Sequence, residues 1–146
     1  MQHLGDITKL HGGKIPPVDV ISFGSPCQDI SSMGNRGNLA GSKSSLFFEA
    51  IRIIHEMRCA TNNRYPTIIV WENVARALFS NDSLDYKAVL SALAGAEIPM
   101  PADGRWANAG MVCGGGVDIA WRLMYGFNFH CAQRRHRIFV LADYRG

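Results

Sequence analysis

Residues 67–71, Thr-Ile-Ile-Val-Trp, form an unbroken β-rich run that begins just after Pro66 and stops at Glu72. Such a run reads as a strand buried on both faces of a parallel sheet. A parallel strand needs a long crossover from its neighbour, and the upstream sequence supplies one. Residues 18–23 (Val-Asp-Val-Ile-Ser-Phe) make a shorter β-rich run, bracketed by Pro16-Pro17 on one side and by Gly24 and Pro26 on the other. Between the two runs, residues 46–58 carry Leu46, Phe47, Ala50, Ile51, Ile54 and Met57 at helical spacing. Ser45 is the expected N-cap of that helix, and Glu49 falls in its first turn. Strand, helix and strand make a βαβ unit whose crossover is expected to be right-handed. The class is α/β.

Residues 83–94 predict a second amphipathic helix (Leu84, Val89, Leu90, Leu93), capped near Asp82 or Ser83. Residues 95–116, rich in Gly, Pro and Ala, read as irregular. Residues 118–125 are expected to be a third helix stopped by Gly126. Residues 127–131 and 138–142 are expected to be the last strands, joined by an arginine cluster. Residues 28–45 show little periodicity, with Gly34, Gly37, Gly41 and five serines, and read as a mobile loop. Long loops in compact domains tend to be functional.

The 146 residues, 47% of them hydrophobic, suffice for one domain. The apolar stretch at 46–57 is interrupted by Glu49, Arg52, His55 and Glu56, so a membrane span is not expected. The N-terminus lacks the basic start and apolar core of a signal peptide, and a cytoplasmic location is expected. Net charge is +3, and 11 of the 15 basic residues are Arg. Arginine offers a planar fork of donors suited to phosphates and base edges. Three of them crowd into Arg134-Arg135-His136-Arg137; a solvated surface patch is the bland alternative. Cys27, Cys59, Cys113 and Cys131 include no Cys-x-x-Cys pair, and no Cys/His spacing matches a zinc site. With one exception they are expected to be small core residues.

The exception is Cys27. A free Cys is more often a buried hydrophobe. Cys27, however, sits between Pro26 and Gln28 at a strand-to-loop break, where a thiol is presented to solvent as thiolate chemistry requires. In open α/β sheets ligands bind beyond the carboxyl ends of the strands. Cys27 follows the first strand, Glu72-Asn73 follows the second, and the arginine cluster precedes the last. Partial desolvation of Glu72 would raise its carboxyl pKa and suit it to donate a proton. A helix-start carboxylate is the alternative reading of that residue.

Gly24-Ser25-Pro26-Cys27-Gln28-Asp29-Ile30-Ser31 resembles the Pro-Cys-Gln nucleophile motif of the DNA cytosine-5 methyltransferases, with its following loop serine. Trp71-Glu72-Asn73-Val74 resembles that family's Glu-Asn-Val motif, and Gln133-Arg134-Arg135-His136-Arg137 its Gln-x-Arg-x-Arg motif. Ser42-Lys43-Ser44-Ser45-Leu46-Phe47 is similar to the segment that opens the intervening helix, and Gly5-Asp6-Ile7 to the segment that holds the cofactor adenine. Five motifs in family order are far more specific than any one alone. Lys43 stands where the family commonly has Arg, and His130-Cys131-Ala132 where Gly-Val-Pro or a similar turn is usual. No Phe-x-Gly-x-Gly stretch is present, and nothing after Arg137 matches a target-recognition region.

The resemblance implies a partial Rossmann-like S-adenosylmethionine-dependent methyltransferase fold over residues 1–146, with a mostly parallel sheet flanked by helices. The N-terminal cofactor loop and C-terminal recognition region are expected to be absent from this span. It implies Cys27 as nucleophile, Glu72 as the group that binds and protonates cytosine N3, Arg137 on the base carbonyl and Arg135 in support. Asp6, Ile7, Pro26 and Leu46 are the implied S-adenosylmethionine contacts. Gln28, Ser31 and Arg36 are the implied contacts to double-stranded DNA. The chain is then an enzyme fragment completed by further sequence or by a complementary polypeptide, or else a truncated relic that binds DNA weakly without turnover. A cysteine hydrolase is the reading from another class, and no His/Asn pairing supports it; no metal is implied.

Overall fold

A computed structural model describes residues 3–25, 46–129 and 135–145 of the chain. Strand β1 (Val20–Gly24), helix α1 (Leu46–Ala60) and strand β2 (Ile68–Val74) form the expected βαβ unit. β1 and β2 pair in parallel from Val20↔Ile68 to Gly24↔Glu72. The α1 pattern is realised by burial of Phe47, Ala50, Ile51, Ile54 and Met57. Two residues past the expected end, the helix stops where the Thr61 hydroxyl donates to the Met57 carbonyl at 2.8 Å. Asn62 and Asn63 then take left-handed backbone angles, a region Asn tolerates better than most residues. The expected N-cap, Ser45, and the loop at 28–45 lie outside the described residues.

Helix α2 (Leu84–Ala94) follows the expected range, but its start differs. Ser83 occupies the cap position with φ 66° and makes no side-chain cap bond. The buried Asp85 carboxylate takes over, accepting from Ser80 Oγ at 2.6 Å and Asn81 Nδ2 at 3.2 Å.

The second half of the chain departs from expectation. Residues 118–125 are not a helix but strand β4 (Asp118–Tyr125), which follows strand β3 (Ala109–Val112) in the segment expected to be irregular. The reason is period: Ile119, Trp121 and Leu123 alternate as buried residues with Asp118, Ala120, Arg122 and Met124, a two-residue repeat that fits a strand. Of the strand expected at residues 127–131, the described part, 127–129, is not extended. Gly126–Phe129 is a 3-10 turn, while 130–134 lie outside the described residues. With β4 a strand, this stretch becomes the connection to strand β5 (His136–Asp143), closed by the Gly126 N–H donating to the Arg135 carbonyl at 2.9 Å.

The sheet order is β1-β2-β5-β4-β3. Only β1–β2 is parallel; β2–β5, β5–β4 and β4–β3 are antiparallel. The expectation of a mostly parallel sheet is therefore corrected, since β3, β4 and β5 follow one another through hairpin-like connections and not through helical crossovers. Both helices feed one core: Phe47, Ile51 and Ile54 of α1 and Tyr86, Val89, Leu90 and Leu93 of α2 join Ile69, Trp71, Ile119, Trp121, Ile138 and Val140. Phe47 meets Trp71 edge-on at 5.7 Å. The opposite sheet face is uncovered among the described residues, with Val20 51%, Leu141 41% and Met111 64% exposed. β2 is accordingly buried on one face and only half-buried on the other.

Candidate active site

β2 extends through the Glu-Asn-Val segment instead of stopping before it, so Glu72 and Asn73 point to opposite faces of the sheet. Asn73 is buried and turned toward the core side. Its Nδ2 donates to the Ser25 carbonyl at 2.9 Å and to Ser25 Oγ at 3.3 Å, and its Oδ1 accepts the Val74 N–H at 2.8 Å. Trp71 Nε1 donates to the same Ser25 Oγ at 3.1 Å. Ser25, the residue before Pro26-Cys27, is thus tied to the end of β2 by two buried side chains. Neither Ser25 nor Asn73 was singled out as functional from sequence. The Asn of the motif was the available signal, and its buried position could not be read without the sheet register.

Glu72 faces the uncovered side. β5 runs antiparallel to β2 and pairs Phe139 with Glu72 and Arg137 with Val74. Arg137 is then a diagonal neighbour of Glu72 on the same face, within reach of long side chains. Arg137 Nε lies 2.6 Å from Glu72 Oε1, with the side chains 22% and 38% exposed respectively. The carboxylate is met by a guanidinium from β5. A Cβ at Gly24 would stand 3.2 Å from Glu72 Oε2, so glycine leaves the carboxylate room at this corner.

Arg137 also donates from Nη1 to the His136 carbonyl at 3.0 Å. Arg135 lies exposed just before β5, joined to the site's end of the sheet through its carbonyl. Cys27, Pro26, Gln28, Ser31 and Arg36 lie outside the described residues.

Of the implied cofactor positions, Asp6 and Ile7 lie on a segment bonded to α1 and Leu46 opens that helix, while Pro26 lies outside the described residues. Asp6 is exposed and accepts from the Thr8 N–H at 3.0 Å and Thr8 Oγ1 at 2.8 Å, bonds that hold its carboxyl below the usual range. Ile7 opens a 3-10 turn and is half-buried, while Leu46 begins α1 and is 42% exposed. An exposed carboxylate beside half-exposed apolar side chains suits a ligand with ribose hydroxyls and a flat purine ring. The set fits the adenosyl part of S-adenosylmethionine.

Two of the cysteines expected in the core are not there. Cys59 lies on the solvent side of the last turn of α1, and Cys113 is exposed after β3. Desolvation and the neighbouring Asp118 carboxylate push the Cys113 thiol up, away from the thiolate form. No described helix is long and apolar enough to cross a membrane.

Comparison with known proteins bears on the family and the fold. A 171-residue match, 32% identical, joins 98% of the chain to 22% of a protein of Escherichia phage P1 named DNA N-6-adenine-methyltransferase. Type II methyltransferase M.BsuFI of Bacillus subtilis is 26% identical over 94% of the chain and 27% of its own length. The chain therefore spans about a quarter of these relatives, at 22% and 27%. The crystal structure of S. pombe Dnmt2 methyltransferase shares the fold at a TM-score of 0.60, with 18% identity, over 99% of the chain and 37% of that structure. The α/β sheet is thus a partial Rossmann-like methyltransferase fold. The sequence pattern of C-5 cytosine-specific DNA methylases matches residues 1–144, and the chain belongs to that family.

Proposed function

We propose that this chain carries the reaction centre for methylation of cytosine carbon 5 in double-stranded DNA. The observation that supports this best is the Glu72–Arg137 pair at 2.6 Å, at the end of the sheet where Ser25 leads into Pro26-Cys27. In this reading the Cys27 thiolate adds to carbon 6 of the base, and Glu72 gives a proton to N3 as electron density moves toward carbon 5. Arg137 holds the base carbonyl and keeps Glu72 oriented, while Arg135 assists through hydrogen bonds or a phosphate contact. S-adenosylmethionine, held by Asp6, Ile7, Pro26 and Leu46, supplies the methyl group that carbon 5 takes up. Loss of the carbon 5 proton to water then expels Cys27 as thiolate, N3 returns its proton to Glu72, and the aromatic ring is restored. This is covalent catalysis with general-acid help.

The target atoms lie inside a stacked duplex, so the base is flipped into the site. Gln28, Ser31 and Arg36 close over it from the segment after Cys27. The adenine in the name of the phage P1 relative belongs to that protein; thiolate addition with N3 protonation suits cytosine. The likeness to Type II methyltransferases supports a role in restriction-modification, and the enzyme is expected to work in the cytoplasm.

The remainder of the family pattern is supplied by further sequence or by a complementary polypeptide. The sheet face and the edge of β1 that stay uncovered among the described residues support this, since exposed strand edges invite pairing. The 146 residues alone are expected to bind S-adenosylmethionine weakly and to methylate DNA very slowly or not at all. Robust methyl incorporation by the purified chain, lost in Cys27→Ser, would contradict that. With the missing parts supplied, S-adenosylmethionine and DNA containing 5-fluorocytosine are expected to trap an adduct that peptide mapping places on Cys27. An adduct on another residue rejects the nucleophile assignment.

A further inference from the structure

Residues 6–14 contain two 3-10 turns, Ile7–Lys9 and Gly12–Lys14, and none of the side chains from Leu4 to Lys14 is buried. A short, exposed segment of this kind has no core of its own to fix its position. Two side chains of α1, Arg52 and Glu56, hold it. Arg52 Nη2 donates to the Ile7 carbonyl at 3.0 Å, and Nη1 donates to the Leu10 carbonyl at 2.9 Å. The guanidinium is itself held on both flanks. Glu49 Oε2 takes Nε and Nη2 at 3.0 and 2.8 Å, and Glu56 takes Nη1 at 2.9 and 3.0 Å.

Glu56 makes a second connection, accepting the Gly12 N–H at 2.6 Å. Gly12 can come this close because it has no side chain: a Cβ there would meet the Ile53 carbonyl oxygen at 2.1 Å. Three main-chain groups, at Ile7, Leu10 and Gly12, are thus pinned to one turn of α1. The same helix begins at Leu46, six residues or about 9 Å before Arg52 along the axis.

We propose that Arg52 is a positioning residue for the cofactor segment, setting Asp6 and Ile7 in register with Leu46 on a single rigid helix. The inference rests on the assignment of Asp6, Ile7 and Leu46 to S-adenosylmethionine. A planar fork does this where a lysine cannot: it reaches two carbonyls and two carboxylates at once. Arg52 touches no reacting atom and acts through the backbone of residues 7–12.

The test uses the full chain, with S-adenosylhomocysteine as the probe in calorimetric titration up to millimolar concentration, and amide hydrogen exchange without ligand. In Arg52→Met, exchange at Lys9, Leu10, Gly12 and Lys14 is expected to speed about tenfold or more while Trp71 and Val140 keep their protection. Affinity for the probe is expected to fall about tenfold, and Arg52→Lys to recover part of both losses. If Arg52→Met also loosens the sheet, Arg52→Lys, which keeps the charge, becomes the deciding variant. Unchanged exchange at residues 9–14 overturns the inference, as does faster exchange with undiminished affinity. Failure of the unsubstituted chain to bind the probe overturns the cofactor assignment and this inference with it. The exchange arm then still reports whether the clamp exists.

Discussion

Two arginines in this chain sit between carboxylates and backbone, and they are used in opposite ways. Arg52 commits all three guanidinium nitrogens, to Glu49, Glu56 and the carbonyls of Ile7 and Leu10. Arg137 gives Nε to Glu72 and Nη1 to the His136 carbonyl, which leaves Nη2 open among the described residues. Arg52 joins two pieces of one chain and has nothing left for a ligand. Arg137 lies on an uncovered sheet face and retains a donor beside a carboxylate. A saturated guanidinium is a structural fastener, whereas an incompletely used one at the end of a sheet is what the base contact proposed for Arg137 requires.

Substitutions can break this contrast. The largest effect is expected at Glu72. Glu72→Gln removes the proton donor and the charge partner of Arg137, and turnover of the completed enzyme should fall about 10²- to 10⁴-fold, the usual range for a general acid. Stability should change by less than about 1 kcal/mol, because the pair is partly solvated. A large loss of stability with activity preserved would reverse the roles given to the two arginines. Rate assays and urea melts on the same preparation decide it.

Asn73→Ala should act through geometry. It leaves the Ser25 carbonyl without its buried donor, at a cost of roughly 1–3 kcal/mol, and frees the residue that leads into Pro26-Cys27. Activity should fall with it, and chemical denaturation should show the lower midpoint. Gly12→Ala places a methyl group against the Ile53 carbonyl and should lift residues 12–14 from α1. The expected result is weaker S-adenosylhomocysteine binding in calorimetry, with the melting of the sheet little changed.

The smallest expected effect is with acid. Burial alone would push the Glu56 carboxyl up, but the Gly12 N–H and the Arg52 guanidinium outweigh it and hold the pKa below its ordinary value. The folded chain therefore binds this proton less readily than the unfolded chain. The contribution is complete above the ordinary Glu value of about 4.3 and is lost as pH falls through the lower folded value. Exchange at Gly12, corrected for intrinsic pH dependence, should rise in that window and not between pH 5 and 8.

Much of the first half of the fold was legible because its signals are local. Pro and Gly bracket β1, the spacing of Phe47, Ile51 and Ile54 defines α1, and residues 67–71 announce β2. The second half was not. Ile119, Trp121 and Leu123 alternate, but Ile119, Leu123 and the adjoining Ala120 and Met124 also satisfy a helical spacing, and only pairing with β5 decides between them. Glu72 and Arg137 were assigned to one site through motifs and their order; their ion pair depends on a register that links positions 65 residues apart. Arg52, with Glu49 and Glu56 at helical neighbour spacing, reads as an ordinary solvated helix face. Its bonds to Ile7 and Leu10 belong to tertiary structure, so local pattern carried no trace of the clamp.

The claim that this end of the sheet performs covalent chemistry on cytosine can be tested without the methyl donor. Addition of a thiolate to carbon 6 makes carbon 5 basic, so a tritium label at carbon 5 is lost to water whenever the adduct forms and reverses. The full chain, at high concentrations of protein and of DNA labelled at cytosine carbon 5, is predicted to release tritium. Release should vanish in Cys27→Ser and fall about 10²-fold or more in Glu72→Gln, in keeping with general-acid assistance. Release that persists in Cys27→Ser, or is absent from the unsubstituted chain, would contradict it.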